Sequence, residues 1–292
     1  MAHHPSFWRD PALPHIETRR ACLSRACYKP HSHPTFSIGA VDAGGSVFTG
    51  SGEAAVRLAP GSLVLVPAGC VHACNPLPDQ TWSYQMLHLD AHWLQQHAPT
   101  LDGETARVLD CPDLYAQFCA MNALLFSSSS AQEKDAALLA FLGACAGADA
   151  DALPSAYKPV PQQLAPVLAA LQAQPLASLQ QLAQAAGISR YQLIRAFRAA
   201  TGMTPHAYQL NAHINRARSS LQTGTALAQV AHELGFADQS HFQRVFKAHA
   251  GMSGTLPQLD NPRNFLQYTP PAHPHTRFLT IDGVALSCRI FY

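Results

Sequence analysis

The chain has 292 residues, of which 48% are apolar and 13% charged, with a formal net charge of +1. That length accommodates two domains with cores of their own, and the composition excludes a disordered chain. The longest apolar run, residues 136–147, is too short to cross a bilayer, so no membrane partner is expected.

The small net charge hides an asymmetry. Residues 1–159 hold nine Lys/Arg against fourteen Asp/Glu, residues 160–262 hold seven against three, and the tail holds three against one. The second half can therefore approach a polyanion, although the excess is modest. The opening MAHHPSFWRDP has no apolar signal-peptide core, and the eight cysteines form no CxxC pair. Free thiols in a reducing cytoplasm are the expectation.

From about Ala21 to Asp90 the sequence reads as strands. CLSRACY, TFSIGAV, SVFTG, AAVRL, SLVLVP and WSYQMLHL are separated by the turn signals KPHSHP, DAGG, GSGE, APG, PAG and NPLPDQ. Many short strands at this spacing predict a β-barrel or sandwich. After Ala91 the period changes. Residues 111–126 and 131–146 predict two helices joined by SSSS, followed by a Pro- and Asp-rich linker. The helices should pack beneath the barrel, with Leu114, Phe118, Met121 and Leu125 as an apolar stripe. Residues 162–258 predict mostly helix, and Asp282-Gly283 between apolar runs is a hairpin signal in the tail. The domain reading is 1–148 sensor, 149–162 linker, 163–260 helical domain and 261–292 extension.

The helical part contains one small object twice. Leu182, Ala183, Gly187 and Ile188 align with Val230, Ala231, Gly235 and Phe236. After a one-residue insertion, Leu193, Arg195, Phe197 and Gly202 align with Phe242, Arg244, Phe246 and Gly251. Each copy reads as a short helix, a glycine turn and a second helix capped by Ser189 or Asp238, which is helix-turn-helix grammar. Leu193 with Phe197, and Phe242 with Phe246, are four apart and point inward together. The outward stripes are Tyr191, Ile194, Arg195 and Arg198 in one copy and Ser240, Gln243, Arg244 and Lys247 in the other. Arg and Gln can read base edges, and Lys or Arg can bind phosphate. Between the copies, Leu210, Ile214, Ala217 and Leu221 mark a helix about 25 Å long. That helix could set two readers into successive major grooves about 34 Å apart on double-stranded DNA.

GMTPHAYQLNAHINRAR and GFADQSHFQRVFKAHAG resemble the DNA-binding domain of the AraC/XylS family of transcription regulators, over residues 165–258. The resemblance implies base-facing roles for Tyr191, Ile194 and Arg195 in the first unit and for Gln239, Ser240, Gln243 and Arg244 in the second. It also implies a cupin-like front domain that binds a small effector, a dimer interface on the helical pair, and activation with RNA polymerase as a further partner. The chain departs from the family pattern at His213, where arginine is usual, at Gly254, where proline is usual, and at the apolar Ile194.

In the front half, GSLVLVPAGCVHACN resembles a later cupin motif through Gly61, Pro67, Gly69 and His72, and KPHSHP supplies His31 and His33. If these lie on a strand, residues two apart share a side, so His31, His33 and His72 could face one interior. Trp82, Tyr84 and Met86 alternate on another strand as core or as cavity wall. The main reading is an effector pocket formed by His31, His33, His72, Trp82 and Tyr84, with no cofactor. The second reading is a divalent metal on the three imidazoles. The third is a metal-dependent cupin oxygenase or isomerase fused to the DNA-binding domain, against which Ser37 and Ile38 stand where a cupin glutamate is expected. The overall expectation is an α+β, two-domain, ligand-responsive regulator that is not an enzyme.

Overall fold

The structure is a computed structural model that describes residues 5–50, 55–148, 151–152, 161–172, 177–250, 277–281 and 284–288. The front domain is built on a seven-stranded antiparallel sheet in the order β1-β2-β8-β3-β6-β9-β10. Its strands are β1 (Ser6–Trp8), β2 (Ile16–Ser24), β3 (Thr35–Ala43), β6 (Leu63–Val66), β8 (Trp82–Asp90), β9 (Arg107–Leu109) and β10 (Asp151–Ala152). A second sheet of three strands has β4 (Ser46–Thr49) between β5 (Ala55–Leu58) and β7 (Ala73–Pro76).

The central strands β3, β6 and β8 are buried on both faces, which is why they read as nearly continuous apolar runs. One face of β3, β6 and β8 presents Phe36, Ile38, Leu63, Leu65, Leu87 and Leu89 to helices α1 (Ala91–His97), α2 (Pro112–Leu125) and α3 (Ala131–Ala146). The other face presents Val41, Val64, Val66, Trp82 and Tyr84 to Phe48 and Leu58 of the small sheet. Period-two alternation thus splits each strand between two cores.

Two expectations change here. The described strands form two facing sheets, not one closed barrel. Four-residue strands such as β5 and β6, with Pro60 between them and Pro67 directly after β6, cannot carry a ladder round the corners. The strand expected at CLSRACY lies earlier, at Ile16–Ser24, and ends in a bulge between Ala21 and Ser24. The stripe Leu114, Phe118, Met121 and Leu125 packs beneath the sheet as expected, and Phe118 meets Phe141 edge-on at 5.5 Å.

A buried polar chain ties the sheet to α2. Thr18 Oγ1 donates to Asn122 Oδ1 at 2.7 Å, Asn122 Nδ2 to Gln85 Oε1 at 2.6 Å, and Gln85 Nε2 to Asp42 Oδ1 at 2.8 Å. Such a network stabilises only while each member stays paired.

The second domain contains α4 (Ala165–Gln172), α5 (Leu179–Ala185), α6 (Arg190–Thr201), α7 (Pro205–Gln222), α8 (Leu227–Glu233) and α9 (Gln239–Ala250). Ser189 caps α6 in a reciprocal box with Gln192, and Asp238 accepts from His241 N at 2.6 Å at the start of α9. Gly187 and Gly235 take φ of 65° and 73° in the two turns, a region that an L side chain enters only with strain. Leu193 and Phe197 lie in one small core, and Phe242 and Phe246 in another. In the tail, β11 (Arg277–Ile281) pairs with β12 (Val284–Cys288) so that Ile281 faces Val284. The intervening Asp282-Gly283 turn lies outside the described residues.

Candidate functional sites: paired reader helices and a histidine-lined cleft

Helices α6 and α9 carry the outward stripes. Tyr191 is 70% exposed, and the Arg195 guanidinium rests 5.7 Å from the centre of its ring. Arg198, Gln239, Ser240 and Arg244 are exposed, and Ile194 and Gln243 half-buried. The side chain of Lys247 lies outside the described residues. In both copies the inward aromatic sits in its core with the cationic face turned to solvent, as a DNA-reading helix requires.

The cleft lies where the front domain meets α7. From the front domain it is lined by Glu17, Arg19, Tyr28, His31, Ser32, His33, His72, Trp82, Tyr84, Met86 and His88, and from the helical domain by Asn211, Ile214, Asn215, Arg218 and His249. The five effector candidates, His31, His33, His72, Trp82 and Tyr84, are all among them. Trp82 and Tyr84 stack at 4.1 Å, so these rings serve the inter-sheet core and the cleft wall together.

His31 and His33 do not lie on one continuous strand. His31 forms an isolated antiparallel bridge with His72, and His33 follows in coil before β3, because Pro30 and Pro34 deny the ladder its donors. The imidazoles converge nonetheless. The His31 and His72 rings are 4.6 Å apart, and His33 and His72 meet edge-on at 5.0 Å. His88 stands edge-on to His33 at 5.1 Å.

Burial keeps this cluster neutral. It lowers the pKa of His31 to about 3, with His72 as the second cause. It holds His33 well below the ordinary 6.5, with His72 and His31 adding to the effect. Burial lowers His72 also, and His88 falls well below 6.5 through burial and then through His33. The nearby Cys74 thiol is pushed up to about 11 by burial and lies 2.9 Å from Ser46 Oγ.

Sequence reasoning missed how α7 docks. Asn211, Asn215, Arg218 and Gln222, at helical spacing on one face, all reach the front domain. Asn211 Nδ2 donates to the Ser32 carbonyl and hydroxyl oxygens at 3.0 Å each, and Ser32 N–H donates to Asn211 Oδ1 at 3.2 Å. Asn215 Nδ2 donates to Ser32 O at 2.9 Å. Glu17 accepts from Arg218 Nη2 at 2.8 Å and Gln222 Nε2 at 3.1 Å, with Arg9 Nε at 3.4 Å. His88 was within reach of the alternation rule, because it continues Trp82, Tyr84 and Met86 along β8. The polar stripe of α7 showed only as ordinary helix-surface residues.

A sensor-like β domain whose cleft is walled by the helix joining two helix-turn-helix units defines a ligand-responsive, DNA-binding transcription regulator. Comparisons with known proteins agree. Residues 13–142 match the AraC-like ligand binding domain, and residues 182–255 match a helix-turn-helix domain. The chain is therefore a regulator of the AraC type.

The HTH-type transcriptional regulator YbfI of Bacillus subtilis strain 168 is 24% identical over 241 residues, covering 80% of this chain and 87% of that protein. The regulatory protein Ada of Salmonella typhimurium is 36% identical over 72 residues, which are 25% of this chain and 20% of Ada. Among solved structures, an apo lysine-to-alanine variant of ToxT from Vibrio cholerae superposes with a TM-score of 0.51 at 13% identity, over 82% of this chain and 94% of that one. Wild-type ToxT with bound unsaturated fatty acid superposes with a TM-score of 0.50 at 13% identity, over 85% and 93%. These likenesses support the two-domain fold. No helix among the described residues is long and apolar enough to cross a membrane.

Proposed function

We propose that this protein is a one-component cytoplasmic activator in which residues 1–148 sense a small molecule and residues 163–260 read DNA. One observation carries the reading: α7 both spaces the two reader helices and forms a wall of the sensor cleft. An occupant touching both walls has different affinities for docked and undocked arrangements, and that difference is what shifts a population. The effector binds at His31, His33, His72, Trp82 and Tyr84. Base and phosphate contacts come from Tyr191, Ile194, Arg195, Arg198, Gln239, Ser240, Gln243, Arg244 and Lys247. Contacts with RNA polymerase and self-association belong to the same reading.

The cleft has a cavity volume of about 40 Å³, room for about three waters at roughly 10–15 Å³ each. That suits a small polar effector or an ion. The protein binds its effector rather than converting it: Ser37, where a cupin enzyme has its glutamate, lies with Oγ 3.3 Å from His33 Nε2.

The reader assignment is tested by gel shift on a specific site. Arg195→Ala and Arg244→Ala should each lose about 1–3 kcal/mol of binding. Unchanged affinity in both variants would discard the assignment.

A further inference from the structure

We propose that Nε2 of His31, His33 and His72 together bind one divalent transition-metal ion of the zinc, nickel or cobalt class, and that its occupancy is passed to α7 through Ser32. The proposal rests on the sensor reading above and gives its cleft a ligand chemistry.

The donor set is defined by hydrogen bonding. His31 Nδ1 bonds the Lys29 carbonyl at 2.8 Å, His33 Nδ1 the Thr35 carbonyl at 2.8 Å, and His72 Nδ1 the Cys70 carbonyl at 3.0 Å. A carbonyl oxygen only accepts, so each Nδ1 carries the proton and each Nε2 a lone pair. This is the arrangement that orients a histidine toward a metal. One ring nitrogen from each residue lies within 4.8 Å of the others. The mutual backbone bonds of His31 and His72, at 2.9 and 2.8 Å, hold two of the rings on the same side.

Neutral imidazoles without a carboxylate suit borderline transition ions and reject the hard oxygen-seeking ones. Cys74, bonded to Ser46, is not in the set, and an ion on His33 Nε2 displaces the Ser37 hydroxyl that lies 3.3 Å from it. A cavity volume of about 40 Å³ leaves room for the ion and a water or a small co-ligand in the remaining position.

The coupling follows from chain connectivity. Nitrogens on a tetrahedral ion at a metal–nitrogen distance of about 2.1 Å are about 3.4 Å apart. Loading therefore draws together ring nitrogens now up to 4.8 Å apart. His31 and His72 are fixed to each other by their bridge, so the shift falls largely on His33. Ser32 lies between His31 and His33, and α7 grips its N–H, carbonyl and hydroxyl through Asn211 and Asn215. A movement of His33 relative to His31 is transmitted to that grip.

The test uses the full-length protein without an affinity tag, stripped with chelator and then titrated with Zn²⁺ or Co²⁺. Calorimetry and metal analysis should give one tight equivalent, and Co²⁺ should show the absorption of a four- or five-coordinate nitrogen site. His33→Gln and His72→Gln, with folding checked by circular dichroism, should weaken that equivalent at least tenfold, while Cys74→Ser should not. Metal should change hydrogen exchange at residues 28–34 in the parent protein and leave His33→Gln unaffected. Absence of a stoichiometric site, or a site indifferent to the histidine changes, overturns the proposal. A site that loads without altering exchange at residues 28–34 overturns the coupling. Gel shifts of the metal-free protein score the DNA-reader reading separately.

Discussion

Glu17→Gln isolates the latch between sensor and α7. The carboxylate accepts from Arg218 at 2.8 Å and Gln222 at 3.1 Å, with Glu17 and Arg218 side chains only 13% and 22% exposed. The amide keeps the shape, removes the charge and sets an N–H₂ against one of the two donors. Hydrogen bonds to charged groups contribute about 1.5–3 kcal/mol. The lower end applies here, because Arg218 retains access to water. A loss of about 1.5 kcal/mol raises the population of the undocked arrangement roughly tenfold. The readout is hydrogen exchange at residues 28–34, whose Ser32 N–H donates across the interface to Asn211. In the fast-reclosing regime its rate follows the opening equilibrium, so it should rise about tenfold. Amides in the β3–β8 pairing should be unchanged. A rise of less than about twofold would limit the latch to about 0.4 kcal/mol and refute its role in holding the domains.

Further outcomes are expected elsewhere. Phe242→Ala empties a fully buried position in the second helix-turn-helix core and should cost about 3–5 kcal/mol in denaturant unfolding. Gly187→Ala meets no atom within 4 Å but must hold φ at 65°, so a loss of about 1 kcal/mol should come from backbone strain alone. Asn122→Ala leaves Thr18 and Gln85 without their partner and should cost about 1–3 kcal/mol in urea midpoint terms. Burial keeps His33, His72 and His88 neutral in the fold, below the ordinary 6.5, whereas the unfolded chain protonates them. Stability is therefore complete above that value and should fall as pH drops below it, by up to about 1.4 kcal/mol per unit for each group. Urea unfolding between about pH 7 and pH 5 checks this linkage, and a flat profile contradicts it.

Local rules found the reader units because each is defined within about twenty residues by its caps, its turn glycine and its i, i+4 aromatics. The same rules found α2, α3 and the pairing of the tail strands. They missed β1 and β9, three residues each, because so short a segment has no period of its own and becomes a strand only through its neighbours. They placed β2 late because its end is a bulge, and a bulge is a property of the pair rather than of one strand.

Sequence by itself determined that the chain has a β-rich front, a helical pair and a duplicated helix-turn-helix with a cationic outer face, since these follow from periodicity and capping over a few turns of backbone. It also supplied His31, His33 and His72 as candidates, but by an argument from strand alternation that the prolines do not allow. Only the tertiary structure brought those rings together across a bridge between residues 41 positions apart, added His88, and laid the polar stripe of α7 over Ser32 and Glu17. Contacts between distant segments depend on how two finished surfaces meet, and no local spacing in either segment encodes that meeting.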